Sequence, residues 1–292
     1  MERVKMINLT SEAYLENETK VPVIKFRKFD GIKEISCGFS TRLGGVSSGI
    51  YESLNLGFNR GDDRELVMEN YRRLGEVLFF DEKKLVFPDQ THKANVRRVT
   101  KENCGAGIMR DKDCSEIDAQ ITNEKDVPII VFASDCVPIF LYDQKKKAVA
   151  GIHAGWRGTV AQIPVNTVEA MQKEFGSNPE DIIAVIGPSA GKECYEVDGN
   201  VADEFIKVYG EEVVSPKENG KYLVDMWDSN RLSLKKAGLK DENISISGIC
   251  TICSKVPKLH LEIAEKENKP LLFSHRQTHG QRGSNAGIIV LR

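Results

Sequence analysis

Residues 129–158 read IIVFASDCVPIFLYDQKKKAVAGIHAGWRG. A strand-length apolar run, 129–133, ends in Ser134, Asp135 and Cys136, and a second, 148–152, ends in His153 and the turn Ala154-Gly155-Trp156-Arg157-Gly158. Each run delivers a soft metal ligand at a strand end. Apolar strands that feed polar residues into glycine-containing turns are how open α/β sheets present chemistry at their carboxyl edge. The spacing between Cys136 and His153 accommodates a strand, a turn and a returning strand, so the two side chains can meet at one edge.

Downstream, Pro164 suits a first helical turn. Val165, Val168, Met171 and Phe175 line one face before Gly176 stops the helix, which implies a crossover unit. Residues 181–187 form a further apolar strand, followed by Pro188-Ser189-Ala190-Gly191 and then Cys194-Tyr195-Glu196-Val197. Asp198 is placed to cap a helix carrying Val201, Phe205 and Val208, and Asp225 to start another within 221–239. Residues 244–250, 271–276 and 286–291 read as strands. Upstream, 117–121 is a strand whose Asp118 faces either solvent or the site, and 123–126 is a turn. Residues 21–28 and 35–39 are strands, the first weakly patterned. Asp62 or Asp63 caps a helix with its apolar face at Val67, Tyr71, Leu74 and Leu78. The glycine-containing loop 40–47 either wraps an anion with Arg42 or simply joins two strands. Residues 85–92 run from an apolar segment into a polar turn ending at His92.

The 292 residues are 40% hydrophobic, enough to bury a substantial core, and one domain spanning 1–292 is expected. Lys and Arg number 41 against 43 Asp and Glu, a net charge of -2. That balance provides neither the basic footprint of a nucleic-acid binder nor a polybasic membrane patch. The chain starts without the apolar core of a signal peptide and has no run near the roughly 18 residues of a membrane span, so a cytoplasmic protein is expected. Seven cysteines without regular spacing fit reduced thiols. Cys250 and Cys253 form a C-x-x-C pair with no second such pair, and are expected to pack at a strand end rather than hold a metal.

His92, Cys136 and His153 together make a competent zinc set, and three protein ligands leave a fourth position open for catalysis. The alternative is that Cys136 packs as a small buried hydrophobe. At these residues the sequence resembles a known family. Ser134-Asp135-Cys136-Val137-Pro138, Gly151-Ile152-His153-Ala154-Gly155-Trp156-Arg157-Gly158, Ile186-Gly187-Pro188 and Cys194-Tyr195-Glu196-Val197 look like the laccase-domain family, also called the YfiH/YlmD family. Gln90-Thr91-His92 and the motif Ser40-Thr41-Arg42, Gly44-Gly45-Val46-Ser47 match the same pattern in the same order.

The resemblance implies an α/β (α+β) fold in a four-layer α/β/β/α arrangement with mixed sheets, like cytotoxic necrotizing factor deamidases and YfiH. It implies a zinc site at His92, Cys136 and His153, with Cu²⁺ as an alternative occupant. It implies phosphorolysis of adenosine and inosine, with guanosine and 5'-methylthioadenosine as further candidates, to free base and (methylthio)ribose 1-phosphate, and a side adenosine deaminase activity. Catalytic roles then fall to Asp135, Cys136 and Arg276, and substrate or phosphate binding to Arg42, Asn55 and Arg157. The C-terminal motif departs from the family at Gln277 and His279, so Arg276 is carried over and His279 is not. The expected partners are purine nucleosides and inorganic phosphate, with no nucleic acid or membrane, acting as a monomer or homodimer. The rivals are a copper-dependent polyphenol oxidase, a hydrolase or deamidase with a Cys136 nucleophile and a histidine base, and a metal-stabilised binding module without turnover.

Overall fold

The structure, a computed structural model, describes residues 6–16, 21–257 and 269–292. Strands β1 (Met6–Asn8), β2 (Ala13–Glu16), β3 (Val23–Phe26) and β4 (Ile35–Ser40) pair antiparallel in order. Helix α1 (Arg64–Leu78) begins where the Asp63 carboxylate accepts the Glu65 and Leu66 N–H groups, at 2.7 and 3.4 Å. Its expected face, Val67, Tyr71, Leu74 and Leu78, is fully buried. There follow β5 (Val96–Arg98), β6 (Ala119–Thr122), β7 (Ile129–Phe132), β8 (Val137–Asp143), β9 (Ala148–Ala154), the short helix α2 (Trp156–Val160), and α3 (Ile163–Phe175). The chain continues through β10 (Ile182–Ile186), β11 (Glu196–Val197), α4 (Gly199–Tyr209), β12 (Val214–Pro216), β13 (Tyr222–Val224), α5 (Met226–Lys236), β14 (Ile244–Ile246) and β15 (Ala286–Leu291).

Two six-stranded sheets result, ordered β1-β2-β3-β4-β15-β7 and β14-β10-β8-β9-β6-β5, with a small sheet β11-β13-β12 beside the second. Alternation along single strands shows how they stack. In β15, Ile288 and Val290 join the core under α1, while Ile289 and Leu291 face the second sheet. In β8, Phe140 and Tyr142 point into the inter-sheet core, while Ile139 and Leu141 point toward α3, α4 and α5. The layers are therefore helix, sheet, sheet, helices, with the central strands β8, β9, β10 and β15 buried on both faces as their apolar runs demand. Fully burying side chains such as Phe140 contributes about 1.5–3 kcal/mol each. A Cβ at Gly287 would lie 2.2 Å from Phe140 Cζ, so glycine there lets the sheets close together.

The two apolar runs of 129–158 part company: β7 belongs to the first sheet and β9 to the second, with β8 returning antiparallel to β9 from Val137↔Ala154 to Asp143↔Ala148. Strands β9 and β10 both run antiparallel to β8 and hence the same way as each other, which makes α2 and α3 the expected crossover. One edge of the second sheet thus gathers the carboxyl ends of β9, β10 and β14 and the amino ends of β5, β6 and β8. Residues 271–276, expected as a strand, have no ladder partner among the described residues. Instead, the buried Asn285 side chain accepts the Phe273 N–H at 2.9 Å and donates to the Phe273 and Ala133 carbonyls. Strand 244–250 is shorter than expected, ending at Ile246 and touching β-structure again only at the Ser189↔Cys250 bridge. In α3, Thr167 takes the buried place expected of Val165, which is half-buried. Among the described residues no helix is long and apolar enough to cross a membrane.

Candidate active site

Asp118, one residue before β6, organises the site. Its carboxylate accepts the backbone N–H groups of Thr91, His92 and Lys93 at 3.2, 3.0 and 2.8 Å, and lies 2.7 Å from His153 Nδ1. These donors hold the turn carrying His92, which sits in the left-handed region at φ 63°. Gln90 pins the same turn to β7 through paired bonds with the Phe132 backbone at 2.8 and 2.9 Å. Cys136 leaves the link between the two sheets directly after Asp135, itself at φ 96°. Two non-glycine residues held left-handed at one place mark a site where geometry outweighs local comfort.

The ligand atoms of His92, Cys136 and His153 lie within 4.8 Å of one another, and the two imidazole rings meet edge to face at 5.0 Å. The Asp118 charge favours the His153 proton on Nδ1, which leaves Nε2 for a metal. A Cβ at Gly155 would come within 2.5 Å of the His92 ring and 3.3 Å of Cys136 Sγ, so the third side of the set is closed by bare backbone. The donor set fits zinc: two imidazoles, one thiolate and an approach from the cleft. Burial opposes ionisation of Cys136, yet the charge and hydrogen bonds of His153 and His92 hold its thiol below the ordinary range. Burial likewise opposes charge on His153, yet Cys136 and Asp118 raise it. Metal-free, the pair favours thiolate and imidazolium.

The site opens on a cleft of about 1170 Å³, ample for a nucleoside with phosphate. A smaller hollow of about 430 Å³ beside Gly75 and Phe80 has neither histidine nor cysteine in its wall. Of the expected residues, Asp135, Cys136, His92, His153, Arg157 and Arg276 all line the cleft. Arg157 lies over the Trp156 ring and Arg276 over the Tyr195 ring, at 4.2 and 4.7 Å. Both Asp135 oxygens are taken, one by the Thr251 hydroxyl and one by the Arg276 N–H, each at 2.7 Å.

Arg42 and Asn55 are not brought to the cleft wall. Arg42 donates to the Glu52 carbonyl at 2.9 Å and covers the Phe273 ring. Asn55 is fully buried: its carbonyl accepts the Gly57 and Ser284 N–H groups and its amide donates to Asp62 and to the Gly57 carbonyl. The first holds a loop and the second spends every polar position on structure.

Sequence reasoning missed Arg282 and left Asp118 open. Arg282 is 8% exposed at the cleft, donates to Ser134 Oγ at 2.9 Å and the Gly283 carbonyl at 2.8 Å, and leaves Nε buried without a partner. No ion pair among the described residues includes it. Burial first, and the neighbouring Arg60 second, push its pKa down to about 10, still far above neutrality. A buried, unpaired guanidinium signals an anion. Arg282 closes the C-terminal motif 274–282, four residues before β15, but nothing in the residue pattern sets it apart from the other arginines, because burial is what gives it its meaning. The reading of Cys250 and Cys253 as a pair without companions is also corrected: Cys194 joins them, all three sulfurs within 4.8 Å, because the Ser189↔Cys250 bridge draws the distant segments together.

Residues 36–292 match the family described as multi-copper polyphenol oxidoreductase laccase. The chain belongs to this laccase-domain family. It is 37% identical over 264 residues to a protein of Bacillus subtilis named purine nucleoside phosphorylase YlmD, covering 89% of this chain and 90% of that one. A Bacteroides thetaiotaomicron protein named purine nucleoside phosphorylase is 35% identical across 78% of this chain and 86% of its own. Among solved structures, Bacillus licheniformis YfiH superposes with a TM-score of 0.85 at 29% identity, covering 95% of this chain and 99% of that one. YlmD from Geobacillus stearothermophilus superposes with a TM-score of 0.81 at 32% identity, covering 95% and 98%. The mixed α+β fold with several sheets is that of these laccase-domain structures.

Proposed function

We propose that this laccase-domain protein is a zinc-dependent purine nucleoside phosphorylase. It would act on adenosine and inosine, with guanosine and 5'-methylthioadenosine as further substrates, and deaminate adenosine as a side activity. The observation that carries the reading is the juxtaposition of the His92, Cys136, His153 set with the buried, unpaired Arg282 in one cleft. The relatives named purine nucleoside phosphorylase at 35–37% identity support it.

In phosphorolysis a phosphate oxygen forms a bond to C1′ as the C1′–N9 bond breaks; the base leaves with the electron pair and takes up a proton. Positive charge builds on the ribose in the transition state. Arg282, with Arg60 and Arg276 on the same wall, holds the phosphate, each charged hydrogen bond contributing about 1.5–3 kcal/mol. Tyr195 and Trp156 each carry a guanidinium plane, and those planes offer a purine a flat cationic surface on the cleft wall. Asp135, with both oxygens occupied, fixes the Arg276 backbone rather than shuttling a proton. A zinc ion held by His92, Cys136 and His153 would supply a Lewis acid with one open position.

A second reading has a specific basis: metal-free, Cys136, His153 and Asp118 form the thiol, imidazole and carboxylate series of a cysteine hydrolase. Against it, His92 closes on the same sulfur, which suits a ligand better than a nucleophile. The polyphenol oxidase rival needs more histidines than the five in the whole chain. Chromatography of adenosine incubated with the zinc-loaded protein should give adenine and ribose 1-phosphate only when phosphate is present. Base release that ignores phosphate, or no release from any of the four nucleosides, would overturn the proposal.

A further inference from the structure

Behind the cleft lies a second gathering of soft ligands. Cys194 ends a short helical turn, Lys192–Cys194, whose Gly191 N–H points at Cys250 Sγ from 3.3 Å. Cys250 stands at the bridge to Ser189, and Cys253 follows one turn later. All three are free thiols with their sulfurs within 4.8 Å of one another. Zinc–sulfur bonds of about 2.3 Å put the sulfurs of a three-thiolate set about 3.8–4.0 Å apart, so shifts of about 1 Å or less would close the set on an ion. Burial differs across the three: Cys250 is buried, Cys194 half-buried and Cys253 exposed, which leaves one face open for a water as fourth ligand.

We propose that Cys194, Cys250 and Cys253 form a second, all-thiolate zinc site that clamps the turn 187–197 to the turn 247–254. Thiolate sets select soft ions such as zinc and cuprous ion over the hard divalent cations, and zinc's tolerance of a tetrahedral set with one water suits the open face. The clamp acts on the cleft from outside it. Cys194 precedes Tyr195, whose ring carries Arg276, and Cys250 precedes Thr251, whose hydroxyl holds Asp135. The thiols are also prepared for an ion. Burial opposes charge on Cys250, but the N–H groups of Gly191, Cys253 and Ile252 outweigh it and lower its pKa. Burial and the Cys250 sulfur raise Cys194 and Cys253. Zinc would form three Zn–S bonds and displace the protons that the thiols carry, so zinc uptake should release protons.

The test is a zinc titration of reduced, chelator-stripped full-length protein against a chromophoric competitor, with alkylation of each cysteine followed by mass spectrometry. Wild type should bind two zinc ions, and both Cys250→Ser/Cys253→Ser and His92→Ala/His153→Ala one each. In the histidine variant, zinc alone should slow alkylation of Cys194, Cys250 and Cys253 by about tenfold or more. The alkylation measured on wild type decides the matter should the cysteine variant fail to fold. Saturation of wild type at one zinc, two ions still bound by the cysteine variant, or equal alkylation with and without zinc would overturn the second site. So would a disulfide among the three in the protein before reduction, with no second zinc taken up after it.

Discussion

Arg282 carries a consequence that its neighbours on the cleft wall do not. Arg157 and Arg276 are exposed and supported by aromatic faces, so water already satisfies much of their charge. Arg282 is buried, its Nε has no acceptor, and its NH1 meets only neutral oxygens, so an arriving phosphate gains more from it than from either of the others. Arg282→Met is expected to raise the KM for phosphate by about tenfold or more, since one charged hydrogen bond of about 1.5–3 kcal/mol is worth that in affinity. The KM for nucleoside should change far less. Steady-state kinetics with each substrate varied in turn checks this, and a rise confined to the nucleoside KM would move the phosphate elsewhere. Because the lowered pKa still stands near 10, the phosphate KM should show no arginine titration around neutrality.

The turn from β9 into α2 shows what single elements contribute and how far they could be read in advance. Gly155 has φ -69° and ψ 168°, a conformation open to any residue, so its glycine is required by space alone. Gly155→Ala would push a methyl into the His92 ring and against Cys136 Sγ, and is expected to weaken zinc binding by about 10–100-fold, as loss of support around a metal ligand does. The fold should lose only about 1–3 kcal/mol, the usual cost of overpacking. Zinc competition and urea denaturation on the same sample separate the two, and unchanged zinc affinity would mean the ligands sit differently. Helix α1 and strands β4 and β15 were legible because a cap or an apolar period announced them. Residues 271–276 were not: their apolar pattern is that of a strand, but the pairing is supplied by the Asn285 amide, which no periodicity reports.

At the scale of the whole molecule, what the pattern of residues could not say is which sheet a strand joins. Strands β7, β8 and β9 are apolar on both faces, so alternation in hydrophobicity is absent and their runs read alike. The metal set was legible because residue type alone carried it. Asp118 was not, since its meaning depends on the antiparallel pairing of β6 with β9 that sets it beneath His153. That pairing makes zinc and protons competitors. With Cys136 lowered and His153 raised, the metal-free site at pH 7 holds a thiolate beside an imidazolium, and zinc must displace the His153 proton. Zinc affinity should therefore keep climbing with pH above the ordinary imidazole value of about 6.5, where an unperturbed histidine would level off. In the metal-free protein Cys136 should alkylate readily at neutral pH and more slowly as acid protonates it. Cys37, buried and raised well above the usual thiol range, should stay silent. Saturating zinc should slow alkylation of Cys136 by about tenfold or more, and a chelator should restore it. At a free zinc concentration of about 100 times its Kd this site gives the folded state about 2.7 kcal/mol, which should register as a raised Tm, and His92→Ala should remove that share while leaving what the three-cysteine site contributes. Rapid alkylation of Cys136 in the zinc-loaded protein, or a ribosyl adduct on that sulfur during turnover, would instead make Cys136 a nucleophile and Asp118 the carboxylate of a catalytic series.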